Sequence, residues 1–447
     1  MSALNEGAGP SAAVRRWTDI VGFWCATVYC ALAFLARQPG EPELLLFFLL
    51  AACAGLPVFI LYFYASGRGE RLPLGRVFLW AAVFRICGLF GGPFFEDDFY
   101  RYLWDGYRFA ITGSPYGVAP EAFFADPAVP QLFQRILDQI NNPELLTIYA
   151  PVTQFIFLLS YLIQPGGVTA LQVILIGLDL VTIALLFRLT SARNVMLYSW
   201  CPLVVKEIAF TAHPDGVGVC LLLAAIVLSE KCRWKSTAVC LGMAAGVKVF
   251  ALLLVPLVLL RAAPRYWILS GAVFAGLYSP FILSSGTDIE SFAVFAREWE
   301  FNSALFGLFS VALGVIESKF ILGLGFATLW ISYALKYRKS SGTIPRGDWI
   351  YGAFLAISPV INPWYLLWLL PFAAVFPSAW AWTASLFILA SYVTGLNLND
   401  YAMGPYQHPV WLRPLQFAPI LMAAGYDLFH YRRRKVNGQD RNQTEAR

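Results

Sequence analysis

The sequence predicts an all-α integral membrane protein, a multi-span helical bundle with further helices lying at one membrane surface. Three observations carry this. Of 447 residues, 59% are hydrophobic and only 13% are charged, against roughly a quarter charged in soluble domains. The mean hydropathy is +0.63. Apolar runs recur from Trp17 to Leu428 with only short polar gaps, so the apolarity does not come from one anchor on a soluble domain. At roughly 20 apolar residues per crossing, this length accommodates about 11 to 14 transmembrane helices. Secreted enzymes, cytosolic enzymes and single-pass receptors are excluded.

The first run, Trp17 to Ala36, is too long for a signal-peptide core and no clear small-residue cleavage site follows it, so it is expected to remain as the first helix. Runs at Glu43 to Ala65 and Val77 to Phe95 come next. After a long polar segment follow Val168 to Leu189, Val195 to Ala212, Val217 to Ser229, Thr237 to Leu260 and Trp267 to Leu283. The last runs are Phe320 to Leu335, Trp349 to Ile361, Tyr365 to Phe376, Ala379 to Gly395 and Pro414 to Phe429.

The joining loops sort by charge. One set holds Arg15, Arg16, Arg68, Arg71, Arg76, Arg188, Arg193, Lys231, Arg233, Lys235, Arg261, Arg265, Lys336, Arg338, Lys339, Arg346 and the Arg-rich C-terminal end. The positive-inside rule makes that set, and both termini, cytoplasmic. The division is a cytoplasmic segment 1–16, a membrane bundle 17–430 that includes an extracytoplasmic loop 94–167, and a basic cytoplasmic tail 431–447. Residues 1–13 and 436–447 are expected to lack order. Two runs fit the alternation poorly. Ala150 to Ile163 has external flanks, and as a helix it would reach only about 21 Å of a hydrocarbon core of about 30 Å, so it is expected to dip into the outer leaflet. Thr237 to Leu260 has basic loops on both sides and is expected to fold as a tight pair of short helices, with Lys248 near the outer tip.

The net charge of +5 is the basic excess expected of cytoplasmic loops, and no nucleic-acid partner is expected. The eight cysteines lie almost all within apolar runs without metal-ligand spacing and read as small buried hydrophobes.

One segment carries the candidate chemistry. It runs Phe94-Phe95-Glu96-Asp97-Asp98-Phe99-Tyr100-Arg101-Tyr102-Leu103-Trp104-Asp105-Gly106 and continues to Gly113-Ser114-Pro115-Tyr116. Three consecutive carboxylates directly after a span read either as a solvated charge cluster or as a base or cation site. Their aromatic neighbours at a membrane surface favour the second, because desolvation there raises the cost of unpaired charge. Tyr100, Trp104 and Arg108 recur at helical spacing, as do Arg101 and Asp105. The acids therefore open a helix, where the dipole favours negative charge.

This segment closely resembles the first external loop of GT-C-fold glycosyltransferases, especially bacterial polyprenol-phosphate-mannose-dependent mannosyltransferases. Further likeness follows in the same order. Thr147-Ile148-Tyr149-Ala150-Pro151 resembles the family's Tyr-Pro-Pro segment, with Ala150 in place of one proline. His213-Pro214-Asp215 resembles its Gly-His-Asn-Asp region, with Pro214 in place of Asn. Gly246-Val247-Lys248 resembles its intramembrane lysine segment, and Asn362-Pro363-Trp364-Tyr365 its late Pro-Trp-Tyr motif.

The resemblance implies a GT-C-type bundle that moves a sugar, mannose first among the options, from a polyprenyl-phosphate donor to a lipid or glycan acceptor hydroxyl. Transfer would invert the anomeric centre at the extracytoplasmic face of the cell (inner) membrane, among membrane lipids. By the acid-x-Tyr-x-Tyr pattern Asp98 is the expected base, with Asp97 one register away. Glu96 with Asp98 would form a divalent-cation site (Mg or Mn), which some family members use and others lack. The departing phosphate needs cations. Lys248 is the first candidate, its alternative being snorkelling to the interface, and His213 with Asp215 is next. Arg101 either serves substrate or pairs with Asp105. Tyr149 is expected to bind substrate, Asn362, Trp364 and Tyr365 either line a sugar or lipid pocket or anchor at the interface, and Asn302, in the external loop 287–302, helps cover the acceptor. Asp179, Lys206 and Glu207 must each face the bundle interior and find a partner there, and structural pairing is the expected reading for them.

Other lipid-linked sugars and lipid A or protein acceptors remain open on the same scaffold. The competing non-enzyme class is a flippase or secondary transporter, which would show repeated halves and broken midplane helices. Acids gathered at one surface favour chemistry there instead.

Overall fold

A computed structural model describes residues 9–283, 286–340 and 342–444, with side chains described as far as residue 430. Residues 1–8 and 445–447, at the ends of the expected cytoplasmic segments, lie outside the described residues. Among the described residues the chain is helical throughout. Its only extended pairing is an isolated bridge between Phe301 and Val360.

Three long helices open the bundle: α1 (Ala12–Ala36), α2 (Leu44–Gly67) and α3 (Leu74–Gly91). Ser11 caps α1 by accepting from the Val14 N–H, which satisfies one of the four donors that a helix start leaves open. The polar segment then folds as the amphipathic α4 (Asp98–Thr112), α5 (Gln131–Leu137) and α6 (Pro151–Ile163). Leu103, Trp104 and Tyr107 of α4 pack on Phe133, Ile136 and Leu137 as a small core of their own. Gly106 is required where α4 crosses α6, because a Cβ there would stand 2.5 Å from the Phe157 carbonyl oxygen.

The chain returns through α7 (Val168–Leu189), α8 (Ala192–Ser199) and α9 (Pro202–Val205). A π turn at Lys206–Phe210 follows, and then α10 (Asp215–Glu230) and α11 (Trp234–Ala245). The remaining helices are α12 (Val255–Leu259), α13 (Pro264–Ile282), α14 (Ile289–Glu298), α15 (Leu305–Leu313), α16 (Val315–Arg338), α17 (Gly347–Ile357), α18 (Leu370–Val375), α19 (Ala379–Phe387) and α20 (Leu412–Thr444). The helical course of α20 runs through the part of the tail expected to lack order, as far as Thr444.

Among the described residues five helices (α1, α2, α3, α7 and α16) are long and apolar enough to cross a membrane, or six if one bent pair counts as a span. The count of about 11 to 14 transmembrane helices expected from composition is not confirmed by these long helices alone. The other apolar runs are built from shorter pieces: Pro202–Phe210 meets α10 at 114°, and the runs after Trp349 divide into α17, a 3-10 turn at Pro363–Trp368, α18 and α19. Proline and polar residues inside these runs interrupt the helical ladder. Thr237 to Leu260 is likewise broken at Gly246–Lys248, and α6 docks on the break: Val152 N–H donates to the Gly246 carbonyl at 2.9 Å and the Thr153 hydroxyl to the Val247 carbonyl at 3.1 Å.

Candidate active site

The site forms where the start of α4, the turn before α10 and the Pro363–Trp368 turn converge. Two non-glycine residues in the left-handed region set it up, Phe95 (φ 61) just before Glu96 and Ala212 (φ 59) just before His213. Such backbone is uncommon and persists only where surrounding packing enforces it. Both residues are buried.

Asp98 is the first residue of α4. Its Oδ2 lies 3.4 Å from the Tyr102 hydroxyl, one helical turn on, and 3.4 Å from the Tyr149 hydroxyl. His213 Nε2 stands 4.0 Å from the same oxygen. The Asp98 side chain remains 25% exposed, whereas His213 is fully buried. The imidazole stacks on Trp364, centroids 4.0 Å apart with the planes at 13°. Its Nδ1 lies 3.0 Å from Glu207 Oε2, and Nε2 has no hydrogen-bond partner among the described residues. Behind it, Glu207 Oε1 accepts from the Tyr392 hydroxyl at 2.6 Å, and Lys206 Nζ lies 3.4 Å away.

A second group stands at the break after α11. Lys248 Nζ donates to Asp215 Oδ1 at 2.8 Å, Trp368 Nε1 donates to the same oxygen at 2.6 Å, and the ammonium lies 4.2 Å over the Tyr365 ring. The lysine expected to meet the departing phosphate thus has a resident counter-ion. Its side chain is nonetheless 26% exposed, and an ammonium carries three donors.

The acids of the trio differ in environment. Glu96 is half-buried, and burial holds its carboxyl well above the usual range, with Asp98, Glu207 and Asp97 adding to the effect and Lys206 opposing it. Burial, then the Asp98 charge, pushes Asp97 up to about 6. Asp97 accepts from the Asn141 side chain, whereas Asp98 meets the two tyrosines. Donor atoms of Glu96, Asp98 and His213 lie within 4.8 Å of one another. Two carboxylates and an imidazole with a bare ring nitrogen suit a divalent cation, so these three residues could hold one.

Two expected site residues are occupied elsewhere. Arg101 Nε donates to Asp105 Oδ1 at 3.1 Å and Nη2 to the Leu145 carbonyl at 2.8 Å. The buried Asp105 also accepts from Gln154 Nε2 at 2.9 Å and from Thr147. This knot, in which Arg101 takes part, ties α4 to the strap that carries Tyr149. Asn302, with φ 51, donates to the Ile361 carbonyl at 3.2 Å and accepts from Gln416 at 3.1 Å. It thereby pins its loop beside the Asn362–Trp364 turn rather than entering the cluster. Tyr102 and Glu207 join the site without being assigned to it from the sequence, where Glu207 is expected only in a structural pairing, and Tyr392 backs Glu207 from outside the cluster. Tyr102 was visible one turn after Asp98, but nothing local pointed Glu207 at a histidine six positions on.

A family model described as alpha-(1→6)-mannopyranosyltransferase, N-terminal domain (the MptA_B family) matches residues 27–264, more than half of the chain. The chain belongs to this family. It is a membrane mannosyltransferase, in keeping with the GT-C likeness of its motifs. The matched region holds Glu96, Asp97, Asp98, Tyr149, Glu207, His213, Asp215 and Lys248, while Trp364 and Tyr365 reach the cluster from beyond it. No curated protein and no solved structure matches the chain.

Proposed function

We propose that the protein transfers mannose from a polyprenyl-phosphate donor to a hydroxyl of a lipid or glycan acceptor at the extracytoplasmic membrane face, with Asp98 as general base and inversion at the anomeric carbon. The observation that carries this reading is the setting of Asp98. It is the acid of the trio that combines partial exposure with two phenol hydroxyls and an imidazole around one carboxylate oxygen. A base must reach its substrate's proton and be held in place while doing so.

In the step, the acceptor O–H proton passes to Asp98 and the oxygen lone pair forms the new bond to C1. The C1–O bond to the phosphate breaks, and its electron pair leaves with the lipid phosphate. Lys248 meets the charge that develops on the phosphate, Asp215 holds its ammonium in place, and Trp364 and Tyr365 offer aromatic faces to the sugar. A cation held by Glu96, Asp98 and His213 would supply further charge stabilisation to the phosphate. The (1→6) linkage in the family's description favours a primary hydroxyl, the 6-position of a sugar, as acceptor.

Purified protein in lipid nanodiscs, given a panel of polyprenyl-phosphate sugars and mannosylated acceptors, should form product from the mannose donor, read by mass analysis of the lipids. Asp98→Asn should lower the rate by about 10²–10⁴-fold at unchanged melting temperature. Asp97→Asn should remain active. Full activity of Asp98→Asn with a dead Asp97→Asn moves the base by one residue, and activity of both removes the mechanism.

A further inference from the structure

His213 owes its position to an irregular stretch of backbone. Lys206–Phe210 wind as a π turn, a geometry that recurs at functional sites, and Ala212 follows in the left-handed region. Together they fold His213 back over Glu207. Its backbone N–H donates to the Glu207 carbonyl at 2.9 Å, and Nδ1 lies 3.0 Å from the Glu207 carboxylate and 3.2 Å from the Thr211 hydroxyl, which itself donates to the same carboxylate oxygen at 3.2 Å. Trp364 covers one face of the ring. The Glu207 carboxylate is fully buried, with Tyr392 on its other oxygen and Lys206 nearby, so its charge is compensated and it is an acceptor for an Nδ1 proton. An imidazole that donates from Nδ1 carries its lone pair on Nε2. That atom is the one facing Asp98, and it is unpartnered among the described residues.

We propose that Glu207 is a positioning residue for mannosyl transfer: it holds His213 in the tautomer and ring orientation that turn a bare Nε2 toward Asp98. The proposal rests on the reading of Asp98 as the transfer base. The other tautomer would set a ring lone pair against the Glu207 carboxylate, and a flipped ring would place C–H where Nε2 now stands. A bare Nε2 can accept the proton that Asp98 takes from the acceptor hydroxyl, or bind a cation shared with Asp98, and a carboxylate behind a histidine fixes the ring for either use.

The test is Glu207→Gln in nanodiscs, with kcat and separate KM values for donor and acceptor, beside a melting curve. Positioning predicts that kcat falls about 10 to 100-fold while both KM values stay within about twofold. Tyr392→Phe removes another partner of Glu207 without touching His213 and should leave kcat within about threefold. In a His213→Gln background, adding Glu207→Gln should change kcat by less than about twofold, since coupled residues are not additive. If Glu207→Gln does not fold, Lys206→Met/Glu207→Gln, which removes both charges together, takes its place. Wild-type kcat in the folded variant, an equal loss in Tyr392→Phe, or additivity with His213→Gln overturns the proposal alone. A wild-type protein that makes no mannosylated product overturns the Asp98 reading as well.

Discussion

Arg85 and Asp179 meet between α3 and α7, and Asp98, His213 and Glu207 meet where α4 faces the turn before α10. Both are groups of charged side chains in an apolar bundle, but they are completed differently. Arg85 and Asp179 are 0% and 1% exposed. Arg85 Nε donates to Asp179 Oδ2 at 2.8 Å, and Nη2 lies 2.7 Å from the same oxygen, off the hydrogen-bond axis, so that contact is Coulombic. The Tyr198 hydroxyl donates to Oδ1 at 2.7 Å, and Arg85 Nη1 donates to the Ala81 and Ser199 carbonyls. One cation meets one anion and the carboxylate has donors on both oxygens. The Asp98 group gathers the carboxylates of Glu96, Asp97, Asp98 and Glu207 around Lys206 and His213, and one ring nitrogen lacks a donor. A charge-matched pair closed off from solvent holds helices together, whereas an excess of acceptors at a partly open edge leaves something for a substrate to supply.

The contrast breaks first at Arg85. Arg85→Met leaves Asp179 charged and buried, and removing one partner of a buried pair costs about 3–5 kcal/mol. The expected outcome is loss of folded, monodisperse protein on extraction, followed by size-exclusion chromatography and melting curves. Partial recovery is expected in Arg85→Met/Asp179→Leu, where no charge remains. A stable, active Arg85→Met would show that the closed pair is not what secures α3 to α7.

The two groups also differ in how far the sequence foretold them. That Asp179 needs an interior partner follows from its place in an apolar run, but the identity of that partner, 94 residues away, does not. The acid trio, Tyr149, His213, Lys248 and Trp364 were readable because each sits in a short motif whose chemistry is local. The Lys248–Asp215 pair spans 33 residues and Tyr392 meets Glu207 across 185, so neither contact leaves a periodic trace. Hydropathy locates apolar runs but not their breaks. It therefore marks α1, α2, α3 and α7 well and treats the bent pair at Thr211–Pro214 as ordinary crossings, although that bend is what delivers His213.

A smaller effect sharpens the difference on the substrate side. Lys248 and Asp215 form a pair as neat as Arg85 and Asp179, yet the lysine side chain is 26% exposed, so it can take a phosphate oxygen without leaving its aspartate. Lys248→Met/Asp215→Asn removes both charges and avoids stranding either one. The donor KM should rise about tenfold, equivalent to about 1.4 kcal/mol, with the acceptor KM and the melting temperature nearly unmoved. Equal changes in both KM values would make the pair architectural, like Arg85 and Asp179.

The finest distinction lies within the trio itself. Asp97 has its carboxyl raised to about 6 by burial and by the Asp98 charge, so the folded protein binds this proton more tightly than the unfolded chain does. The cost of ionising it is absent at pH values below the unfolded carboxylate range, accumulates as pH rises through about 4 to 6, and is complete above that window. Asp97→Asn removes the charge and keeps an amide opposite Asn141, so the variant should melt higher than wild type at pH 7.5 and the gap should close toward pH 4. Solvent screening at this half-buried position limits the gain to the order of 1 kcal/mol. Activity should persist, because Asp97 faces Asn141 and not the tyrosines around Asp98. A gap that widens as the pH falls would mean that ionised Asp97 stabilises the fold, and the strain of adjacent carboxylates would then have to rest on Glu96 and Asp98.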